Sequence, residues 1–206
     1  MSGASPLPSP LPTFISGDMT VPQQYESRIL KRTGLAMAQL PSRRRCGRRR
    51  PGYVERPHKR SQPQQHRILA SSPRGTALLT GDARGDHILQ DLEAAGLLDD
   101  AGKVHVDVLK LQHHGSDRHV TKRFFQSVTA DTYLISADGK NGNPDIARLR
   151  WLVDAAYEEG RRPRIVVTNE TPSIEQLLVD RAPDQFGYSL QIRSPDDNAI
   201  IVDVGA

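Results

Sequence analysis

The pattern of apolar and polar positions changes near residue 68. From Ile68 onward, short runs rich in β-branched residues alternate with stretches whose apolar residues recur every three or four positions. The runs are typical of strands and the stretches of amphipathic helices. Their alternation predicts an α/β layer, because strands that alternate with helices build a sheet covered by those helices.

The predicted elements follow one another closely along this part of the chain. Strands are predicted at residues 76–80, 104–111, 132–136 and 164–168. Helices are predicted at residues 87–98 with Asp86 as the N-cap, at 120–128, from Pro144 to a stop at Gly160, and at 173–178. An antiparallel pair of strands, 188–193 and 199–204, is predicted to close the chain around a turn at 195–198.

Residues 1–67 have a different composition, rich in Pro, Gln, Ser and Arg. Ten of the 15 prolines fall in residues 1–75, which carry 14 basic and 3 acidic residues, whereas residues 76–206 carry 14 basic and 21 acidic residues. So few periodic apolar residues cannot bury enough surface to offset the entropy of ordering the chain. We predict a disordered Arg/Pro-rich segment at 1–67, with one short amphipathic helix within 25–40, and a folded domain at 68–206.

The cysteine content and the hydropathy of the sequence limit the cellular compartment and the kinds of partner that can be expected. The single cysteine, Cys46, excludes an internal disulfide framework and a multi-cysteine zinc cluster, which favours a reducing, cytoplasmic compartment. No apolar run reaches the ~18–20 residues of a membrane helix, and no signal peptide is apparent, so no membrane partner is expected.

An arginine-rich tract supports an alternative function. The eight residues from Arg43 to Arg50 include six arginines, which could neutralise several phosphates of a nucleic acid. The alternative is therefore a non-catalytic module that binds nucleic acid through this tract. An arginine run without interleaved aromatic residues is also typical of a solvated tail.

Two polar motifs follow neighbouring predicted strands. Asp82 ends the run Leu-Leu-Thr-Gly-Asp, and His113, His114, Gly115 and Ser116 follow the next strand. Open α/β sheets bind ligands at the carboxyl edge of their strands, so these side chains are expected to share a site. Imidazole is a common metal ligand, glycine allows close approach of the backbone to an ion, and the serine could donate to a phosphate oxygen. Each motif alone also fits a purely structural turn or loop.

Together the motifs resemble the second half of a metallo-β-lactamase-fold hydrolase of the ComEC-like subgroup. The similarity covers about residues 68–206 and includes Ile-Ser-Ala-Asp-Gly at 135–139 and Gly-Asn-Pro at 142–144. It implies the second half of an αββα sandwich and metal-dependent hydrolysis of phosphodiester or related ester bonds with two divalent ions, usually zinc. It implies that Asp82 bridges the ions and that His113 or His114 is the late imidazole ligand. Asp82 and His114 are the expected catalytic residues, and Ser116 is a further site residue.

The chain also departs from that family. The motif His-x-His-x-Asp-His is absent, since residues 1–75 contain only His58 and His66, and Asn143 stands where the subgroup often has a histidine before proline. A hydrolytic zinc ion requires about three protein ligands and an open position for water. We therefore expect an impaired hydrolase and a sheet face left open, or covered by a complementing polypeptide. The abrupt change of composition near residue 68 suggests a truncated, recombined or wrongly started reading frame.

Overall fold

A computed structural model describes residues 14–16, 36–39, 67–116 and 120–204, the first two segments by their backbone alone. This part of the chain is a mixed α/β structure, which confirms the predicted class. The strands are β1 Phe14–Ser16, β2 Ala36–Gln39, β3 Ile68–Ser72, β4 Gly75–Leu79, β5 Val104–Lys110, β6 Val128–Ile135, β7 Arg164–Val167, β8 Ser189–Ile192 and β9 Ile200–Val202. The helices are α1 Gly85–Ala94, α2 Lys122–Ser127, α3 Ile146–Glu158, α4 Pro172–Asp180 and α5 Pro183–Phe186.

Seven of these strands form one sheet in the order β2-β3-β4-β5-β6-β7-β8. The pairs β2–β3 and β3–β4 are antiparallel, and the strands from β4 to β8 pair in parallel. Parallel neighbours require a crossover connection, and each connection from β4 to β8 carries at least one helix. The carboxyl ends of five consecutive strands therefore meet along one edge of the sheet.

One face of the sheet packs against the helices. Leu78, Leu109, Tyr133 and Ile165 form a row across β4, β5, β6 and β7 and are completely buried. They belong to the main core, together with apolar residues of α1 to α4, among them Ile88, Phe124, Leu149, Leu152, Ile174 and Leu177. The burial of this row explains why each of these strands carries an apolar residue at that position, since successive side chains point to opposite faces of a sheet.

The opposite face of the sheet is covered by the end of the described chain. Ala77, Val108, Leu134 and Val166 pack in one cluster with Ile200, Val202 and Val204. The four sheet residues of this cluster are at most 4% exposed, so the prediction of an open face is wrong for them. Alternation along β9 directs every second residue toward the sheet, whereas Ile201 between them is 60% exposed.

The predicted closing hairpin is also wrong. Strand β8 pairs in parallel with β7, and β9 instead pairs antiparallel with β1 in a separate two-stranded sheet. Ile200, Val202 and Val204 are buried on the second face of the sheet, which favours this position of β9 because burial removes their apolar surface from water. The apolar periodicity predicted the two strands but could not select their partners.

Helix starts differ from the predictions in two places. Helix α1 begins at Gly85, so Asp86 lies in its first turn, where it pairs with Arg84 instead of capping the helix. Helix α3 begins after Pro144, and the side chain of Asp145 caps it by accepting from the Ala147 N–H at 2.8 Å.

The N-terminal predictions are only partly covered by the structure. Residues 36–39, predicted as the end of a helix, form strand β2. Apart from these residues and β1, the chain before Arg67 lies outside the described residues, and with it lies most of the segment predicted to be disordered, including Cys46, His58, His66 and the tract from Arg43 to Arg50. Among the helices described, none combines the length and the apolar character required to cross a bilayer.

Candidate functional site

The two motifs singled out in the sequence meet at the carboxyl edge of the sheet. Leu79 of β4 lies beside Lys110 of β5, so Asp82 and His113 each follow their strand by three residues. The His113 N–H donates to the Gly81 carbonyl at 3.0 Å, which joins the two loops directly. The predicted juxtaposition of the aspartate loop and the histidine loop is therefore present in the backbone.

The histidine loop is a tight left-handed turn. Residues Gln112–Gly115 form one turn of 3-10 type, and within it His113 has φ 51° and ψ 45° and His114 has φ 54° and ψ 25°. Left-handed conformations at non-glycine residues cost about 1 kcal/mol or more each and persist where the surroundings hold them. The two consecutive left-handed residues therefore set the directions in which the His113 and His114 side chains leave the backbone.

The ring of His114 is fixed by a main-chain acceptor. Its Nδ1 lies 2.6 Å from the Ser136 carbonyl oxygen, at the end of β6. A carbonyl can only accept, so Nδ1 carries the hydrogen and Nε2 of the neutral ring is left as the acceptor. Metal-binding histidines are commonly oriented by such a bond at the second nitrogen. This contact distinguishes His114 from His113, a choice that the sequence left open.

His114 lines a polar cleft of about 550 Å³ at this edge. Other side chains that line it are Asp138, Lys140, Asn143, Asn169 and Arg193. Arg193 is held by its Nε, which donates to the Thr168 carbonyl at 3.1 Å, and by Nη2, which donates to Asn169 Oδ1 at 3.3 Å. A hydrogen bond from Lys140 lowers the pKa of Asp138 below its ordinary value. The cleft suits a polar, charged ligand.

A smaller cleft adjoins the histidine turn on its other side. His113, His114 and Ser116 line it together with Asn141 and Asn143. Ser116 is buried at the end of the turn, and its N–H donates to the His113 carbonyl at 2.9 Å. Ser116, a predicted site residue, and Asn143 therefore line the same cleft as the histidines.

The arrangement does not form the two-ion site that the resemblance implies. Asp82 is exposed, and it is not among the described residues that line the two clefts. Within residues 67–116 and 120–204, no group of three or more His, Cys, Asp or Glu side chains converges where it could hold a metal ion. A zinc ion requires about three such ligands, and these residues do not supply them.

Sequence reasoning missed Lys140, Asn169 and Arg193 as cleft residues. Asn169 directly follows a predicted strand, so its position at the edge could have been read from the pattern. Arg193 was assigned to a closing hairpin, which hid that β8 is parallel to β7 and ends at the same edge.

Comparison with known proteins adds no relative to this description. No family model matches the chain, and a search of curated proteins finds no match.

Proposed function

We propose that this chain carries half of a metallo-β-lactamase-type site, namely the ligands that come from the second half of that fold. By itself the chain is an impaired hydrolase. The parent activity is metal-dependent cleavage of phosphodiester or related ester bonds. The observation that carries the proposal is the bond between His114 Nδ1 and the Ser136 carbonyl, because it leaves Nε2 as the ring's acceptor beside a polar cleft.

The carboxylate of Asp82 is the second group in this proposal. The bond from the His113 N–H to the Gly81 carbonyl places the loop of Asp82 next to the histidine turn. Asp82 and His114 then offer one oxygen ligand and one nitrogen ligand, which leaves a zinc ion without enough protein ligands. The remaining ligands would have to come from a complementing polypeptide that carries His-x-His-x-Asp-His.

The chemistry of the cleft supports a phosphodiester as the substrate class. Arg193 contributes positive charge, Lys140 does so while paired with the Asp138 carboxylate of the same cleft, and Asn143 and Asn169 contribute amide groups, at the edge where His114 lies. Charged donors form the stronger hydrogen bonds to phosphate oxygens. Ser116, in the smaller cleft, offers a hydroxyl to the same class of oxygen.

The proposal is tested by zinc analysis together with hydrolysis of a chromogenic phosphodiester. The protein is loaded with zinc, dialysed, and assayed for metal content and for release of the chromophore. We expect less than one zinc per chain and no turnover above that of the buffer. Tight stoichiometric zinc, with turnover that Asp82→Ala abolishes and Asp100→Ala preserves, would contradict the proposal. Asp100 is a matched control because it is also exposed but lies at the opposite edge, before β5.

Assignment of the imidazole is tested by the two single histidine variants. Any weak zinc affinity measured by titration calorimetry is expected to be lost in His114→Gln and retained in His113→Gln. The reverse order would show that the ring held by Ser136 is a structural histidine.

A further inference from the structure

A buried arginine lies beneath the histidine turn. Arg148 is the third residue of α3 and is 0% exposed, although it carries the largest side chain of the fully buried set. Its Nη1 donates to the Gln112 carbonyl at 3.2 Å and to the Ser116 carbonyl. These two carbonyls flank the left-handed turn, so one nitrogen joins the residue before the histidines to the residue after Gly115.

Two further contacts tie the same helix to the turn. The Asp145 N–H, at the start of α3, donates to the Gly115 carbonyl at 2.9 Å. The guanidinium carbon of Arg148 lies 5.9 Å from the centre of the Phe125 ring, on α2. Arg148 therefore lies between α2 and the turn, and among the described residues the Gln112 and Ser116 carbonyls accept the hydrogen bonds of its Nη1.

Arg148 brings a charged guanidinium into the core, and its Nη1 is bonded to the two carbonyls that flank the turn. Burial of an ionised group costs several kcal/mol unless its hydrogens reach acceptors of good geometry. Hydrogen bonds from a charged donor contribute more than those between neutral groups. The two bonds from Nη1 hold the Gln112 and Ser116 carbonyls on either side of His113 and His114, where they can offset part of the conformational cost of the left-handed turn.

We infer that Arg148 is the positioning residue of the histidine turn. By holding the Gln112 and Ser116 carbonyls together, it keeps His113 and His114 left-handed and keeps the His114 Nδ1 on the Ser136 carbonyl. The inference rests on the proposed function in one respect, namely that His114 is the imidazole of the site. It adds a residue from a helix to a site otherwise built from strand ends.

The test is nuclear magnetic resonance of metal-free protein, so that zinc binding does not enter the result. Ring ¹⁵N shifts report the tautomer of His114, and amide exchange reports the protection of the turn at His113 and Ser116. The Thr168 N–H, which donates to the Ile135 carbonyl at 3.1 Å, serves as a reference in the sheet. In its neutral form, the His114 ring of the wild-type chain is expected to carry its hydrogen on Nδ1.

Arg148→Met is expected to give a mixed His114 tautomer and exchange at His113 and Ser116 about tenfold faster or more, since charged hydrogen bonds are lost. The Thr168 amide is expected to keep its protection. Arg148→Lys keeps the charge on a stem one bond shorter, so its turn exchange should fall between the wild type and Arg148→Met.

Three outcomes would overturn the inference: an unchanged tautomer and exchange in Arg148→Met, a uniform loss of protection that includes Thr168, or identical effects of the two variants. If Arg148→Met does not fold, Arg148→Lys is compared with the wild type instead. The inference then requires faster amide exchange at His113 and Ser116 in Arg148→Lys, with the exchange of Thr168 unchanged. These readouts are independent of the zinc and hydrolysis assays, so failure of the proposed function leaves them standing.

Discussion

Gly115 lies directly against Pro144, so closely that a Cβ added to the glycine would sit 2.6 Å from the Pro144 Cβ and 3.0 Å from its Cα. Gly115 also has φ +83°, a conformation that other residues adopt only under strain. This contact packs the histidine turn against the loop between β6 and α3. The glycine is therefore required both by the backbone angle and by the space available.

We predict that Gly115→Ala lowers the free energy of unfolding by about 2–4 kcal/mol, because overpacking adds to the cost of a left-handed alanine. Gly142→Ala is the matched control, since Gly142 has φ +71° but no atom within 4 Å of its added Cβ. The control is expected to lose about 1–2 kcal/mol. Urea denaturation of both variants measures the difference, and equal losses would show that the contact with Pro144 relaxes freely.

Gln112 presents a polar side chain in an apolar position. The residue is 1% exposed, and neither its amide oxygen nor its amide nitrogen has a hydrogen-bond partner among the described residues. A buried polar group without a partner costs about 1–3 kcal/mol. We predict that Gln112→Met, which keeps the volume and the backbone carbonyl, leaves stability unchanged or raises it by about 1 kcal/mol.

Thermal and urea denaturation check this prediction against Gln90→Met, an exposed position on α1 where a surface change should stay within about 0.5 kcal/mol. A loss of more than about 1 kcal/mol in Gln112→Met would mean that the amide makes a contact through water that the fold requires.

Asp107 joins the start of β4 to β5, and its carboxylate should make the free energy of unfolding depend on pH in the acid range. Burial alone raises the pKa of Asp107, but hydrogen bonds from the Thr76 N–H at 2.7 Å and Oγ1 at 2.8 Å outweigh it, and the pKa lies below its ordinary value of 3.8. Since the folded state favours the carboxylate, this contribution is present above pH 3.8 and is lost as the pH falls through the lower folded pKa.

Asp107→Asn is expected to cost about 1.5–3 kcal/mol at neutral pH, because charged hydrogen bonds are replaced. The cost should shrink as the pH falls below 3.8. Urea midpoints of both proteins from pH 3 to pH 7 measure it, and a difference independent of pH would contradict the assignment.

Tyr188 should make the free energy of unfolding depend on pH in the alkaline range, where its contribution falls as the pH rises. The residue is 5% exposed, its hydroxyl donates to the Arg181 carbonyl at 2.8 Å, and burial raises its pKa to about 12 from the model-compound value of 10.0. The folded state favours the neutral phenol, so its contribution is complete below pH 10 and is lost as the pH rises toward 12.

Between pH 10 and pH 12 the wild type is therefore expected to lose on the order of 2 kcal/mol more than Tyr188→Phe, at about 1.4 kcal/mol for each unit of pKa shift. Tyr157→Phe, at a side chain 56% exposed, should follow the wild-type curve. Parallel curves for the wild type and Tyr188→Phe would contradict the prediction.

The local pattern of apolar and polar residues was sufficient to predict the central strands and the residues that follow their ends. Alternating apolar runs predicted β4 to β7 within one or two residues at most ends, and the strand-end positions of Asp82 and His114 predicted a shared edge. It could not find Arg148, because on an amphipathic helix a lone arginine reads as a solvent-facing residue. The acceptors of that arginine are backbone carbonyls, which every sequence contains and no pattern marks.

The sequence also could not predict which strands pair with β8 and β9. The runs that became β8 and β9 were recognised as strands, yet their neighbours depend on burial against Val108, Leu134 and Val166, which are distant in sequence. Local spacing carries no information about such contacts. The same limit hid Arg193, whose place at the cleft follows from the parallel pairing of β8.

The cover over the second face has a consequence for biosynthesis. Strand β9 follows all seven strands of the large sheet along the chain, and it alone brings Ile200 and Val202 onto Ala77, Val108, Leu134 and Val166. Ribosomes add about 5–20 residues per second, so that apolar face stays bare for seconds after its strands have emerged. The nascent chain thus passes through a stage at which this face lacks the cover of β9, and a ribosome stalled before residue 200 would expose a surface that β9 otherwise conceals.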